Sequence, residues 1–202
     1  MRLAAISFTE QGGRLNRFLC AALRRRGHGA DSFEKRKKAS RLSEKLPEPG
    51  GAGWETGKER AVLEPEAEEA FLSPVTESLG EWTGRAFSSY DGLIFVGACG
   101  IAVRAIASFV KDKFTDPAVV VVDERASFAV ALLSGHVGGA NDLCRLVAEL
   151  CGAVPVISTA TDVNGLFAVD VFAEKNGLAV MDRRLAKEIS AAVLAGTETN
   201  KL

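Results

Sequence analysis

Two short runs of apolar residues constrain the fold of this chain more than any other feature. Residues 93–96 and 119–122 contain no polar side chain. Strands that read this way are buried on both faces, as in parallel sheets covered by helices on both sides. Between such runs lie segments with apolar residues at helical spacing, for example Leu15, Leu19 and Leu23. The pattern predicts an α/β fold with a mostly parallel sheet and helices on both faces, arranged as one unit or as two small subdomains.

The alternation continues along the chain. Residues 128–133 follow the second apolar run closely enough to be its hairpin partner. Six strands are predicted, at residues 3–8, 29–33, 91–96, 119–122, 128–133 and 154–158. Helices are predicted from residue 12 to the arginines at 24–26, and at 101–109, 140–151, 167–176 and 183–194.

Residues 34–86 differ in kind from the rest. A basic stretch at 34–45 precedes an acidic stretch at 55–81, and prolines and glycines between them exclude a continuous helix or strand. We interpret this segment as a long surface insertion with a short helix at 65–71. The predicted organisation is an N-terminal α/β region at 1–112, which carries the insertion, and a central α/β region at 113–202.

Composition excludes several classes of protein. The 202 residues carry a net charge of -1, which argues against a nucleic-acid-binding or membrane-surface role. No apolar run approaches the ~20 residues of a membrane span, and the first residues do not read as a signal peptide. The four cysteines form no C-x-x-C pair, so we expect reduced thiols, no metal site and a cytoplasmic protein.

The segment Ser134-Gly-His-Val-Gly-Gly-Ala-Asn141 is the strongest candidate for chemistry. It holds one of the two histidines of the chain, and Gly135, Gly138 and Gly139 leave backbone amides open to a ligand. An imidazole exchanges protons near neutral pH, so His136 is predicted to be catalytic, with Ser134 as its orienting group or as a nucleophile. Asn141 is predicted to bind substrate. A structural histidine is the alternative interpretation.

A second polar segment ends the next apolar run. Thr159, Thr161 and Asn164 are predicted to bind substrate there, and Asp162 to polarise water or bind substrate groups. An Asx turn would also explain this pattern. We expect this segment and the histidine loop to form two rims of one site.

A third set of residues suits an anion. Gly97 and Gly100 precede a predicted helix whose first amides would face a ligand, and Arg104 follows one turn later. Lys111 and Lys113 come after that helix. A tight turn and solvated lysines are the alternative. Since ligands bind at the carboxyl ends of parallel strands, we expect this loop to join the other two at one edge of the sheet.

These motifs resemble the CbiG family of cobalamin biosynthesis. The resemblance is carried by the residues already quoted, with their neighbours, at 91–107, 111–124, 132–141, 159–165 and 167–172. It extends over about residues 1–30 and 88–195, and leaves 34–86 unmatched. Family members also carry a C-terminal domain that is not found in this sequence, so a truncated chain, a split gene product and a partner supplied in trans all remain open.

The resemblance implies a cobalt-precorrin-5A hydrolase. Such an enzyme opens the δ-lactone on ring A of a tetrapyrrole and releases acetaldehyde; cobalt enters with the substrate, so no cofactor is expected. His136 would be the general base, glycine amides would hold the oxyanion, and Arg104, Lys111 and Lys113 would bind carboxylates. We expect a monomer or homodimer that works beside other cobalamin enzymes or a separate C-terminal domain. The alternatives are a tetrapyrrole-binding module inactive without that domain, and an unrelated anion- or nucleotide-binding domain.

Overall fold

The computed structural model describes residues 1–36, 71–136 and 138–164, and parts of 169–194. The helices predicted at 65–71 and 167–176 fall largely outside these residues. Seven strands form one sheet in the order β3-β2-β1-β4-β5-β6-β7. The strands are β1 Arg2–Ser7, β2 Gly29–Glu34, β3 Ser73–Pro74, β4 Gly92–Val96, β5 Ala118–Val122, β6 Phe128–Leu133 and β7 Val154–Val156. The helices are α1 Glu10–Arg25, α2 Leu79–Ser89, α3 Cys99–Ile106, α4 Ala140–Cys151, α5 Ala160–Val163 and α6 Arg183–Leu194.

The sheet separates two apolar layers. Val120 and Val122 of β5 face the layer that contains α1 and α4, while Val119 and Val121 face the layer that contains α2 and α3. All five residues of β5 are buried. This double burial is what the unbroken run of valines predicts, and it confirms the α/β fold with a mostly parallel sheet between helices.

Strand direction changes once within the sheet. The first five strands in the sheet order are parallel, β6 is antiparallel to β5, and β7 is parallel to β6. The predicted hairpin is therefore confirmed; the Asp123 carboxylate closes its turn by accepting hydrogen bonds from the amides of Ser127 and Phe128. We call the edge at the carboxyl ends of β1, β4 and β5 the front edge. The carboxyl ends of β6 and β7 lie at the opposite, back edge.

Helix α2 belongs to the fold although the sequence analysis places most of it in the surface insertion. Ser78 and Glu81 form a capping box, in which each side chain accepts a hydrogen bond from the backbone N–H of the other residue. Trp82 and Ala86 are buried against the sheet. The insertion predicted at 34–86 is therefore wrong for residues 71–86, which supply β3 and most of α2; residues 37–70 lie outside the described part.

The predicted division at residue 112 falls between two paired strands. β4 and β5 pair along all five of their residues, from Gly92 with Ala118 to Val96 with Val122. Both predicted regions thus contribute strands to one sheet. The division of the chain into two regions at residue 112 stays a prediction.

Each outer strand of the sheet contains a proline. β3 ends with Pro74, and β7 has Pro155 between two valines. One amide next to each proline points inward, since Val75 N–H donates to the Glu34 carbonyl and Val154 N–H donates to the Ser127 carbonyl. Among the described residues, no helix is long and apolar enough to cross a membrane.

Candidate active site

His136 and Asp162 meet at the back edge. His136 lies in the loop between β6 and α4, and Asp162 lies on α5, just after β7. The imidazole Nε2 is 2.6 Å from Asp162 Oδ2. Their side chains are 15% and 20% exposed, so the pair is shielded yet reachable from solvent. Because β6 and β7 are parallel neighbours, their carboxyl ends bring two polar loops 26 residues apart into contact.

Asn141 fixes the same carboxylate from α4. Its Nδ2 donates to Asp162 Oδ2 at 2.8 Å and to Thr159 Oγ1 at 3.0 Å. The Asn141 side chain belongs to a residue that is only 4% exposed. Both hydrogens of the amide are therefore committed within the protein, and the geometry favours a positioning role over the substrate-binding role that the sequence predicts.

Arg145 is a member of this cluster that the sequence analysis misses. Its Nη2 donates to Asp162 Oδ1 at 2.7 Å, and its Nη1 donates to Asp142 Oδ1 at 2.8 Å. Arg145 follows Asn141 by four residues on α4, so both side chains leave the same helix face. That spacing, immediately after the histidine loop, is the signal in the sequence that could have revealed it.

The surroundings keep Asp162 ionised. Burial raises the pKa of its carboxyl, but the hydrogen bonds and charges of Arg145 and His136 outweigh burial and lower the pKa below the ordinary value of 3.8. The same contact raises the pKa of Arg145, first through its hydrogen bond to Asp162. At neutral pH this site therefore presents a carboxylate that only accepts hydrogen bonds.

The glycines of the loop are required by close packing. A Cβ on Gly138 would lie 2.3 Å from Ser134 Cβ and 2.8 Å from the Ser134 carbonyl oxygen. A Cβ on Gly135 would lie 2.9 Å from Asn141 Oδ1. Gly139 has a φ of +78° and begins α4 without a side-chain cap. These glycines allow the loop to pack closely against Ser134 and Asn141, and their predicted contact with substrate stays a prediction.

Ser134 lies beneath the loop. It is 6% exposed and has a left-handed φ of 58°, a conformation that costs a non-glycine residue about 1 kcal/mol or more. Its Oγ has no hydrogen-bond partner within the described part of the chain, so it is not joined to the imidazole. The geometry therefore gives no support to Ser134 as orienting group or nucleophile.

The remaining residues of the second loop are distributed around α5. Thr159 precedes α5, and its Oγ1 accepts the hydrogen bond from Asn141. Asn164 is exposed and donates to the carbonyl of Ala160, so its side chain closes α5 locally. Thr161 lies on α5, but its side chain is outside the described residues. The substrate-binding roles of these three residues stay predictions.

The Gly97–Gly100 loop lies at the front edge, across the sheet from His136. Because β6 runs antiparallel to β5, its last residue, Leu133, pairs with Val119, whereas the last residue of β4, Val96, pairs with Val122. The two strand ends are therefore about 10 Å apart along the strand direction. Arg104 turns back over Gly100, whose Cβ position is 3.5 Å from Arg104 Nη2. The expectation that all three loops share one edge is therefore wrong.

Lys111 and Lys113 lie on the back-edge side. They belong to the loop between α3 and the amino end of β5, where the Asp116 carboxylate accepts from the amides of Lys111 and Asp112. The Asp116 carbonyl oxygen is 3.3 Å from the Cβ position of Gly138, so this loop touches the histidine loop. Both lysines are exposed. This placement separates them from Arg104 and puts them on the same side as His136.

The chemistry available at the back edge is proton transfer. Since the Asp162 carboxylate only accepts, the proton of the shared hydrogen bond is on His136 Nε2. Three loop amides that could have held an oxyanion, those of Gly139, Ala140 and Asn141, already donate to carbonyls of the loop. Within the described part of the chain no three His, Cys, Asp or Glu residues lie close enough to hold a metal ion.

Comparison with known proteins identifies relatives of the central segment. A family model described as Cobalamin synthesis G N-terminal matches residues 81–162, which contain His136, Asn141, Arg145 and Asp162. This match confirms the resemblance to the CbiG family that the motifs predict.

Two curated relatives are named Cobalt-precorrin-5A hydrolase. The one from Salmonella typhimurium is 50% identical over 119 residues, covering 59% of this chain and 34% of that protein. The one from Priestia megaterium is 45% identical over 108 residues, covering 54% of this chain and 29% of that protein. The chain thus spans about a third of the length of the curated relatives it matches.

A solved structure shares the fold. It is the crystal structure of a cobalamin biosynthesis protein G homolog from Sulfolobus solfataricus, with a TM-score of 0.51 and 20% identity. The alignment covers 96% of this chain and 46% of that chain.

Proposed function

We propose, from the premise that residues 81–162 carry the N-terminal segment of the CbiG family, that this chain hydrolyses cobalt-precorrin-5A. The substrate would be a cobalt-containing tetrapyrrole whose ring-A δ-lactone is opened, with release of acetaldehyde. The names of the two curated relatives support this assignment. The setting we propose is the cytoplasm, with the substrate supplied by other enzymes of cobalamin biosynthesis.

The hydrogen bond between His136 and Asp162 carries the proposal. Lactone hydrolysis needs a base that accepts a proton from water as the oxygen attacks the acyl carbon. Asp162 holds the proton on Nε2 and stabilises the imidazolium, so Nδ1 is the nitrogen that accepts it. A carboxylate whose pKa is held low beside an imidazole is the arrangement that such a step requires.

The proposed reaction proceeds in two proton transfers. Water adds to the lactone carbonyl while its proton passes to His136 Nδ1. The tetrahedral intermediate then breaks the ring C–O bond, and the imidazolium returns the proton to the departing oxygen. One water is consumed, and a carboxyl and a hydroxyl are formed. The alcohol so formed then loses its proton as the C–C bond that joins it to the macrocycle breaks. The two-carbon arm leaves as acetaldehyde, and the electron pair stays on the macrocycle, where a proton replaces the arm.

Lys111 and Lys113 suit the peripheral carboxylates of the substrate. Both are exposed cations on the loop that touches the histidine loop, so a tetrapyrrole with one carboxyl group at His136 would have others near these lysines. Arg104, at the front edge, would need a second region of contact. We therefore do not include Arg104 in the proposed back-edge site.

The test is acetaldehyde release from purified chain and cobalt-precorrin-5A. We expect release above an enzyme-free control, and a loss of about 10²–10⁴-fold in kcat for His136→Asn, the range contributed by a general base. His28→Asn is the matched control, since it removes the other histidine of the chain and should retain turnover. Equal rates for His136→Asn and the unaltered chain would refute the assigned base.

A second candidate function follows from the share of the relatives that this chain covers. A module spanning about a third of their length can bind a tetrapyrrole without turning it over. Corrinoid binding measured by absorbance, without acetaldehyde release, would replace hydrolysis by this function. Stabilisation by nucleotides and not by corrinoids would reject both.

A further inference from the structure

We propose that Arg145 is a positioning residue, which orients the Asp162 carboxylate so that His136 keeps its proton on Nε2. The catalytic part of this inference rests on the proposed function, because it assigns a residue to the same site. The structural part rests on the hydrogen bonds around Asp162. No catalytic contact with substrate is assigned to Arg145.

The short helix that carries Asp162 gives little support of its own. α5 has four residues; Ala160 and Val163 on it are exposed, and so is Asn164, which follows it. The carboxylate is instead held from α4, by Asn141 on one oxygen and Arg145 on the other. These two residues are one helical turn apart. Two side chains of α4 therefore hold the Asp162 carboxylate, and together they define which of its oxygens faces the imidazole.

Each oxygen of Asp162 has a separate task. Oδ2 accepts from His136 and Asn141, while Oδ1 accepts from Arg145. Without the guanidinium, Oδ1 would lose its charged donor, and rotation of the carboxylate would exchange the two oxygens. The hydrogen bond that holds the imidazole would then lose its single geometry.

The guanidinium itself is fixed. Its Nη1 is bound to Asp142 Oδ1 in the first turn of α4, three residues earlier. Two carboxylates therefore hold one planar group, which sets the direction of the donor to Asp162. Among the described residues, the titratable groups that contact Asp162 are His136 from the loop and Arg145, with Asp142 behind the arginine on α4.

The ion pair between Arg145 and Asp162 differs from an ordinary surface ion pair because the position of the His136 ring depends on it. Isolated exposed pairs contribute about 0–1 kcal/mol to stability, and many contribute nothing measurable. The Arg145 side chain is 48% exposed, so little stability is expected from it. Its partner, however, holds an imidazole 2.6 Å away, so the expected effect is on proton placement.

The experiment is nitrogen NMR of the histidine rings in unaltered chain and in Arg145→Met. With two histidines, His28 serves as an internal reference for His136. We expect the neutral His136 ring of the unaltered chain to carry its proton on Nε2, and Arg145→Met to show a mixture of both tautomers. Arg145→Lys should restore part of the preference, because a cation is returned without the planar fork.

Arg26→Met is the matched control. Arg26 pairs with Glu149 of α4 and is 50% exposed, so this variant removes an ion pair of similar exposure on the same helix, away from the site. It should leave the His136 signals unchanged. An unchanged His136 tautomer in Arg145→Met, or an equal change in Arg26→Met, would overturn the proposal.

Kinetics supply the second readout. Arg145→Met should lower kcat on the order of tenfold to a hundredfold, with little change in KM, because misplacement of a catalytic group reduces the chemical step. If the unaltered chain releases no acetaldehyde, the proposed function fails while the NMR comparison still decides the role of Arg145. A rise in KM alone would show that Arg145 binds substrate, and would also overturn the positioning role.

Discussion

The two edges of the sheet carry similar sequence patterns and differ in what surrounds them. At the front edge, Gly97–Gly100 and Arg104 form a glycine turn at a helix start, with an arginine folded over it. At the back edge, the histidine of the glycine-rich loop, an asparagine and an arginine converge on Asp162. Both edges have the local appearance of a ligand loop. Among the described residues, it is at the back edge that one carboxylate accepts hydrogen bonds from a histidine, an asparagine and an arginine, and that convergence distinguishes a candidate active site from a turn.

The largest expected difference between the edges is in catalysis. Asp162→Asn should lower kcat by about 10²–10⁴-fold, because an amide can neither stabilise the imidazolium nor dictate the tautomer of His136. Glu124→Gln is the front-edge counterpart, since Glu124 accepts a hydrogen bond from Thr9 near the end of β5. It should retain turnover. Acetaldehyde release by both variants measures the contrast, and equal losses would remove the distinction between the edges.

The glycines should differ in the sign of their effect on stability. Gly138→Ala places a methyl group 2.3 Å from Ser134 Cβ, and we expect a loss of about 1–3 kcal/mol. Gly100→Ala meets only the end of the flexible Arg104 side chain and lies in α3, so it should be neutral or gain up to about 1 kcal/mol. Denaturant unfolding of both variants measures the difference. A neutral Gly138→Ala would show that the loop is more open than described.

Acid should weaken the back edge in particular. The pKa of Asp162 is lowered in the folded chain, so its ionisation contributes stability that is present above the ordinary value of 3.8 and is lost as pH falls through the lowered value. The stability difference between the unaltered chain and Asp162→Asn should therefore shrink over that range. Thermal unfolding at a series of pH values measures it, with Glu124→Gln as comparison. A difference that stays constant down to the lowest pH would mean that Asp162 is not ionised in the pair.

The smallest expected effect concerns substrate carboxylates. Lys111→Met should raise KM by a few-fold, because a single exposed charge contact contributes about 0–1 kcal/mol. Arg104→Met, at the front edge, should leave KM and kcat closer to those of the unaltered chain. Steady-state kinetics with both variants tests the ranking. A larger change for Arg104→Met would extend the binding surface across the sheet.

Much of this architecture is predictable from local signals. The valine run at 119–122 predicts a strand buried on both faces, and β5 is one. The helix predicted at 140–151 coincides with α4, since its apolar spacing is regular and glycines stand at both ends. The meeting of the loops that contain His136 and Asp162 is also expected, because both follow apolar runs. These features depend on burial and on backbone geometry, which are local in the sequence.

What could not be predicted depends on direction and on context. The hairpin at 128–133 is recognisable in the sequence. Its consequence is that the loops after β6 and β7 lie at the opposite edge, and this can be derived only when the order of all strands in the sheet is known. α2 is obscured by its glycines and by the acidic stretch before it, although Ser78 and Glu81 mark its start. In the sequence, Arg145 resembles any charged residue on an exposed helix face. Its role becomes visible once the fold places Asp162 beside it.

The two prolines in the outer strands limit how the sheet can pair with strands of other chains. The inward direction of the Val75 and Val154 amides means that the ring nitrogens of Pro74 and Pro155 face outward. An incoming strand would find no hydrogen donor at either position, where pairing requires one. Both sides of this seven-stranded sheet are therefore protected against templated growth by other polypeptides. The chain can expose its catalytic loops at the back edge without offering its outer strands to aggregation.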